Sequence, residues 1–122
     1  MPRRTLTPCP DNPNCVSTLA PPQDSQHAIR PFVYSKTRSE VKATLKAVIA
    51  ALPRTKLIED EDFYLHYEFT SLLLRFVDDV EFLFDEEAKT IHFRSASRVG
   101  YGDFGVNRRR MEDLRSRVQG KL

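Results

Sequence analysis

Apolar residues first recur at helical spacing in Val41, Leu45, Val48, Ile49 and Leu52. That stripe predicts an amphipathic helix over residues 38–52. Thr37 precedes it as an N-cap with Glu40 at the third helical position, the two halves of a capping box. Pro53 stops it. The period then changes to two. Phe63, Leu65, Tyr67 and Phe69 alternate with Tyr64, His66 and Glu68, the pattern of a strand with one face in a core. A shorter strand over 56–59 precedes it. Thr70 and Ser71 mark a turn, and residues 72–84 read as one long apolar strand that bends near Asp78 and Asp79. Residues 85–89 form a charged turn, and residues 90–96 return with Ile91 and Phe93 on one face. Met111, Leu114 and Val118 restore the helical period and predict a last helix over 108–119. Asn107 is its expected N-cap, Gly120 its stop, and Val106 against Met111 its hydrophobic staple.

The elements run (β)αββββα, which predicts an α+β fold: an antiparallel sheet of about four or five strands packed against two helices. The optional first strand lies within 27–34, where Pro31 confines it to an edge. Residues 1–26 hold six of the eight prolines and read as an extended, irregular arm, leaving 27–122 as a single α+β domain. A chain of 122 residues fits that organisation.

Charge adds a distribution that its total conceals. Lys and Arg number 19 against 17 Asp and Glu, a net of +2. So small a surplus argues against nucleic acid as a partner. Residues 1–56 carry a net +6, residues 57–93 a net −9 and residues 94–122 a net +5. An acidic strand region is flanked by two basic segments.

Two cysteines, Cys9 and Cys15, lie among Pro8, Pro10 and Pro13. A proline-bent loop brings such thiols within disulfide range. Two free thiols and half of a metal site are the rival states, although zinc favours closer spacing and four ligands. No apolar run reaches the ~18–20 residues that span a bilayer. The N-terminus lacks the apolar stretch of a signal peptide. The expected location is cytoplasmic as the sequence stands, and extracytoplasmic if a leader has been removed.

The turn at 85–89 sets a hairpin register. Pairing Phe84 with Ile91 pairs Phe82 with Phe93, Glu81 with Arg94 and Asp79 with Ala96, and it brings Arg98 near Asp79. Asp79, Glu81, His92, Arg94 and Arg98 then share one face. They are either cross-strand ion pairs or a pocket in which Arg75, Arg94 and Arg98 hold an anionic ligand. Arg108, Arg109 and Arg110 open the last helix, where cations oppose the helix dipole. Their expected partners are Glu112 and Asp113 within the helix, or Asp78, Asp79 or Glu81 of the sheet. The glycine-rich approach over 100–105 also offers backbone N–H groups to an external anion.

Three strings carry a resemblance: Cys9-Pro-Asp-Asn-Pro-Asn-Cys-Val-Ser17, Arg75-Phe-Val-Asp-Asp-Val-Glu-Phe82, and the run from Arg94-Ser-Ala-Ser-Arg98 to Arg108-Arg-Arg110. In these the chain resembles the domain of unknown function 1499 family over nearly its whole length. The resemblance marks Cys9, Cys15, Asp78, Asp79, Glu81, Arg94, Ser95, Ser97, Arg98, Asn107 and Arg108 as family-type positions and implies no activity. Family members occur in bacteria and plant plastids, some exported or membrane-attached, so it also implies that an extracytoplasmic setting is open.

The expectation drawn from all of this is a binding or accessory module. Its candidate network is Arg75, Asp78, Asp79, Glu81, Arg94, Ser95, Ser97, Arg98, Asn107, Arg108 and Arg109, acting as an anion-accepting site or an internal salt-bridge clamp. The expected partner is an anionic small molecule or a protein, with no cofactor, metal or catalytic residue assigned. The alternative is a hydrolase-like or metal-dependent enzyme using Asp78, Asp79, Glu81 and His92.

Overall fold

The computed structural model of the chain describes residues 4–100 and 105–122. Thr37 and Glu40 form the reciprocal capping box and open α1 (Arg38–Ala50). The alternating segments form β3 (Thr55–Glu61), β4 (Tyr64–Thr70), β5 (Val77–Asp85) and β6 (Thr90–Ser97), and the last helix is α2 (Val106–Val118). Two further strands, β1 (Cys15–Ser17) and β2 (Phe32–Val33), both pair with β6. The antiparallel sheet runs β1-β6-β5-β4-β3. The fold is α+β, and its hairpin register is the one that the charged turn dictates: Phe84 opposite Ile91, Phe82 opposite Phe93, Glu81 opposite Arg94 and Asp79 opposite Ala96.

Both helices pack on one face of the sheet. Val41, Leu45 and Ile49 of α1 and Met111, Leu114 and Val118 of α2 join Leu65, Val80, Phe82 and Phe93 in one core. Fully burying a side chain of this size contributes about 1.5–3 kcal/mol, so these residues set where the helices lie. Phe93 also stacks against Phe32 of β2, with ring centroids 4.7 Å apart. Period two leaves the intervening strand residues on the opposite, outer face.

The structure departs from the sequence expectations at four places. Cys15–Ser17 is a buried strand inside the stretch read as irregular, because residues 15–17 complete the ladder of β6. The strand expected within 27–34 shortens to Phe32–Val33. β5 begins at Val77 and pairs with β6 without interruption through Asp78 and Asp79, so no bend occurs there. Residues 72–76 lie outside it in a loop, closed by Ser71 N–H to the Phe76 carbonyl and by Phe76 N–H to Ser71 Oγ, both at 2.9 Å. The register shift falls instead on β3, between Leu57 and Glu59.

The fourth departure is the start of α2. Gly105, in the left-handed region at φ 78°, occupies the N-cap, and its carbonyl accepts from Arg109 N–H at 3.0 Å. Asn107 is therefore the second helical residue and is buried, while Val106 is exposed and forms no staple across the cap. Most of the glycine-rich approach, residues 101–104, lies outside the described residues.

The connections sort to two ends of the sheet. Residues 51–54, 71–76 and 98–100 lie at one end; the turns at 62–63 and 86–89 lie at the other.

Candidate functional site

Asp78 on β5 and Ser95 and Ser97 on β6 face the helices rather than solvent. The first turns of α2 cover them. Arg110 donates to Asp78 at 2.6 Å, to Asn107 Oδ1 at 2.8 Å and to Ser95 Oγ at 3.2 Å. Ser95 donates to Asn107 Oδ1 at 2.6 Å. The Asn107 amide donates to Ser97 Oγ at 3.0 Å and to the Asn14 carbonyl at 3.1 Å. The Asn14 carbonyl also accepts from Ser97 N–H, and the Asn14 amide donates to the Gly100 carbonyl at 2.9 Å. This cluster joins β5, β6, α2 and the loop before β1. A buried polar network is stable only when its members are satisfied, and this one meets that condition.

Two other α2 arginines, Arg108 and Arg115, also turn to protein acceptors. Arg108 donates to the Ala28 carbonyl at 2.9 Å and to those of Gln26 and Ser25. One heptad on, Arg115 donates to the Arg30 and Pro31 carbonyls and lies over the Phe32 ring. The two fasten the segment that leads into β2. The intrahelical pairs expected for Arg108 and Arg110 give way to these contacts, because Glu112 holds Arg115 and Asp113 holds Arg117. Three cations at a helix start are tolerated here because Asp78 and a row of loop carbonyls offset the dipole.

The outer face carries a second network. Arg98 holds Asp79 at 2.8 Å and Glu68 at 2.5 Å, and His66 Nε2 lies 2.8 Å from Asp79. Hydrogen bonds from Arg98, with His66 assisting, hold the Asp79 carboxyl below its ordinary pKa. Tyr64 donates to Glu81 at 2.6 Å, and burial together with that bond pushes the phenol up. Arg94 Nη1 stands 3.7 Å from Glu81, and Arg94 Nε is buried without a hydrogen-bond partner. His92 approaches Thr18 Oγ1 at 3.0 Å, and its burial lowers the ring's pKa.

The chain before β1 crosses this outer face. Arg4 pairs with Glu59 and Glu61 and lies 4.0 Å over the Tyr64 ring, whereas Cys15 stands on β1 at the other side of the sheet. Cys9 is disulfide-bonded to Cys15, which fixes the crossing segment near β1.

The loop at 71–76 inverts the usual distribution of residues. Leu72, Leu73, Leu74 and Phe76 are 62%, 87%, 70% and 47% exposed. Arg75 stands among them at φ 57°, a left-handed conformation that turns the chain back into β5. Beside the loop an open cleft of about 410 Å³ runs between Leu52, Phe69, Val106 and Leu114, with Arg54 and Arg109 at its border.

A family model described as a protein of unknown function (DUF1499) matches residues 5–118. The chain belongs to this family. The clamp, the disulfide and the leucine loop all lie within the span matched by DUF1499. No curated protein and no solved structure matches the chain.

The sequence-derived candidates thus fall into separate places. Asp78, Ser95, Ser97, Asn107 and Arg108 gather on the helix side, with Arg109 on the exposed side of α2. Asp79, Glu81, Arg94 and Arg98 gather on the outer face with His92. Arg75 stands on the 71–76 loop, outside both groups. Asp78 and Asp79 face opposite sides of the sheet, which separates the four residues of the enzyme alternative. Among the described residues no three of His, Cys, Asp and Glu are placed to hold a metal ion. The sequence offers Asp78 as a partner for the Arg108–Arg110 run without placing Arg110 in the candidate network, and it gives Asn14, Tyr64 and the leucine loop no site role. The sequence signal for the loop is that Leu72-Leu73-Leu74 does not alternate, whereas Val80, Phe82 and Phe84 recur at every second position.

Proposed function

We propose that the protein is a binding module that engages its partner through the end carrying the 71–76 loop, with the α2 arginines bracing the fold from within. One observation carries this reading: four large apolar side chains project from a six-residue loop, while Arg108 and Arg110 spend their hydrogen bonds on the protein's own carbonyls, hydroxyls and Asp78. An exposed cluster of this kind marks an interaction site in a protein that otherwise buries its apolar residues. The α2 cluster serves as an internal clamp, and the anion-accepting role gives way to it.

The test separates the two regions by stability. Leu73→Ser with Leu74→Ser should leave the urea midpoint within error of wild type, and Arg110→Ala should lower it clearly. A leucine variant that unfolds as readily as the arginine variant would make the loop part of the core and remove it as an interaction surface. Titration with inorganic phosphate examines the clamp. The reading predicts no saturable heat, and stoichiometric binding lost in Arg108→Ala would restore the anion-accepting site.

A further inference from the structure

We infer that the partner of the 71–76 loop is the surface of an anionic lipid bilayer, into which Leu72, Leu73, Leu74 and Phe76 insert while flanking arginines meet the headgroups. The inference rests on the docking end proposed above and names what docks there.

Three features favour a fluid apolar layer over a protein surface. First, Leu72, Leu73 and Leu74 are consecutive and all well exposed, so the tip of the loop presents three large apolar side chains with no polar residue between them. A flat protein partner would bury one side of such a tip, whereas acyl chains close around it from every side. Second, the backbone of the tip is closed on itself by the paired Ser71–Phe76 hydrogen bonds. That closure gathers the four apolar side chains into one compact projection, which meets the headgroup layer as a unit.

Third, the charge of the molecule is polarised along the same axis. At the leucine end the described connections contribute Arg54 and Arg75, while Arg98 is spent on Asp79 and Glu68 and the loop entering β1 adds Asp11. The nearby carboxylates are already occupied: Asp78 by Arg110, Asp79 and Glu68 by Arg98, and Asp113 by Arg117. Arg54 and Arg75 are both exposed. At the opposite end stand Asp62, Asp85, Glu86 and Glu87, with Lys89 in the turn and Lys36 and Arg38 before and at the start of α1, where Arg38 pairs with Glu86. A negative surface attracts the basic, apolar end and repels the acidic one, which orients the sheet end-on. No helix among the described residues is long and apolar enough to cross a membrane.

The test is co-flotation of the full chain with phosphatidylcholine vesicles and with vesicles that also contain phosphatidylglycerol. Wild type should float with the anionic vesicles and bind the neutral ones several-fold more weakly. Leu73→Ser with Leu74→Ser should weaken the partition about tenfold or more at unchanged melting temperature, because two inserted side chains become polar. Arg54→Ser with Arg75→Ser should weaken it several-fold and flatten its salt dependence. Absence of flotation, or flotation indifferent to the leucine substitutions, overturns the inference. If the chain ignores vesicles but sediments as a dimer that the leucine substitutions dissolve, the lipid assignment falls while the docking end stands. If the leucine variant unfolds, the docking end falls as well.

Discussion

Two neighbouring regions of this molecule each invert the ordinary placement of residues. Beneath α2, Asp78, Ser95, Asn107 and Arg110 are polar and buried. A short distance away, Leu72, Leu73 and Leu74 are apolar and exposed. The contrast lies in what each region does with its cost. The polar cluster offsets desolvation with internal hydrogen bonds that tie four parts of the chain together, so it serves the fold. The leucine loop recovers none of its cost inside the protein. The β5–β6 connection shows that a charged turn is an adequate hairpin closure in this same sheet. The proposed docking end accounts for leucines at 72–74 by placing their gain outside the protein.

The largest effect expected from breaking this contrast is in the clamp. Arg110→Ala leaves Asp78 buried beside an empty space and should cost about 3 kcal/mol in urea unfolding, since removing one member of a buried pair strands the other. Asn107→Ala removes the acceptor shared by Ser95 Oγ and Arg110 and the donor to Ser97 Oγ, and should cost about 2 kcal/mol by the same measurement. If both variants unfold with wild-type midpoints, the cluster does not brace the fold. Replacing Cys9 and Cys15 together by serine releases the segment that crosses the outer face. It should cost about 2 kcal/mol through the unfolded chain's regained freedom. Equal stability of the oxidised and reduced protein would contradict that.

A smaller effect is set by pH. The Asp79 carboxyl is held below its ordinary value by Arg98, so its pairing supports the fold fully above the unfolded value of 3.8. That support is lost as pH falls through the lowered folded-state value. Asp79→Asn should flatten this acid limb of a stability profile and leave the slope at neutral pH unchanged. An acid limb as steep as wild type's would assign the acid sensitivity to other carboxylates. The smallest effect belongs to the loop: Leu73→Ser with Leu74→Ser should move stability by no more than about 0.5 kcal/mol.

The sequence reveals the frame of this arrangement better than its joints. The capping box of α1, the alternation in β4 and the register of β5 with β6 are local or nearest-neighbour properties, and each is visible in residue spacing. Glu81 opposite Arg94 and Arg98 beside Asp79 follow from that register. The clamp needs tertiary information. Asn107 is a strong N-cap residue by type, yet Gly105 takes the cap because only it reaches the left-handed backbone cheaply, and the asparagine is freed to turn toward the sheet. Arg110 meets Asp78 across 32 positions of sequence, which no spacing rule reports. β1 escapes notice because three residues between prolines and a disulfide carry too short a pattern, although β6 supplies them with a complete ladder. Residues 72–76 mislead for the opposite reason: an apolar run reads as strand until its exposure is seen.

The most direct test uses the absence of tryptophan from the chain. Leu73→Trp places a single reporter on the leucine loop, and Phe63→Trp places one on the exposed turn at the acidic end. On adding phosphatidylglycerol-containing vesicles, the Leu73→Trp emission should shift to the blue and become accessible to quenchers fixed in the acyl region. The Phe63→Trp emission should stay where it is. A reporter at position 73 that remains in water, or an equal shift at both ends, would contradict the assignment of this end to the membrane surface.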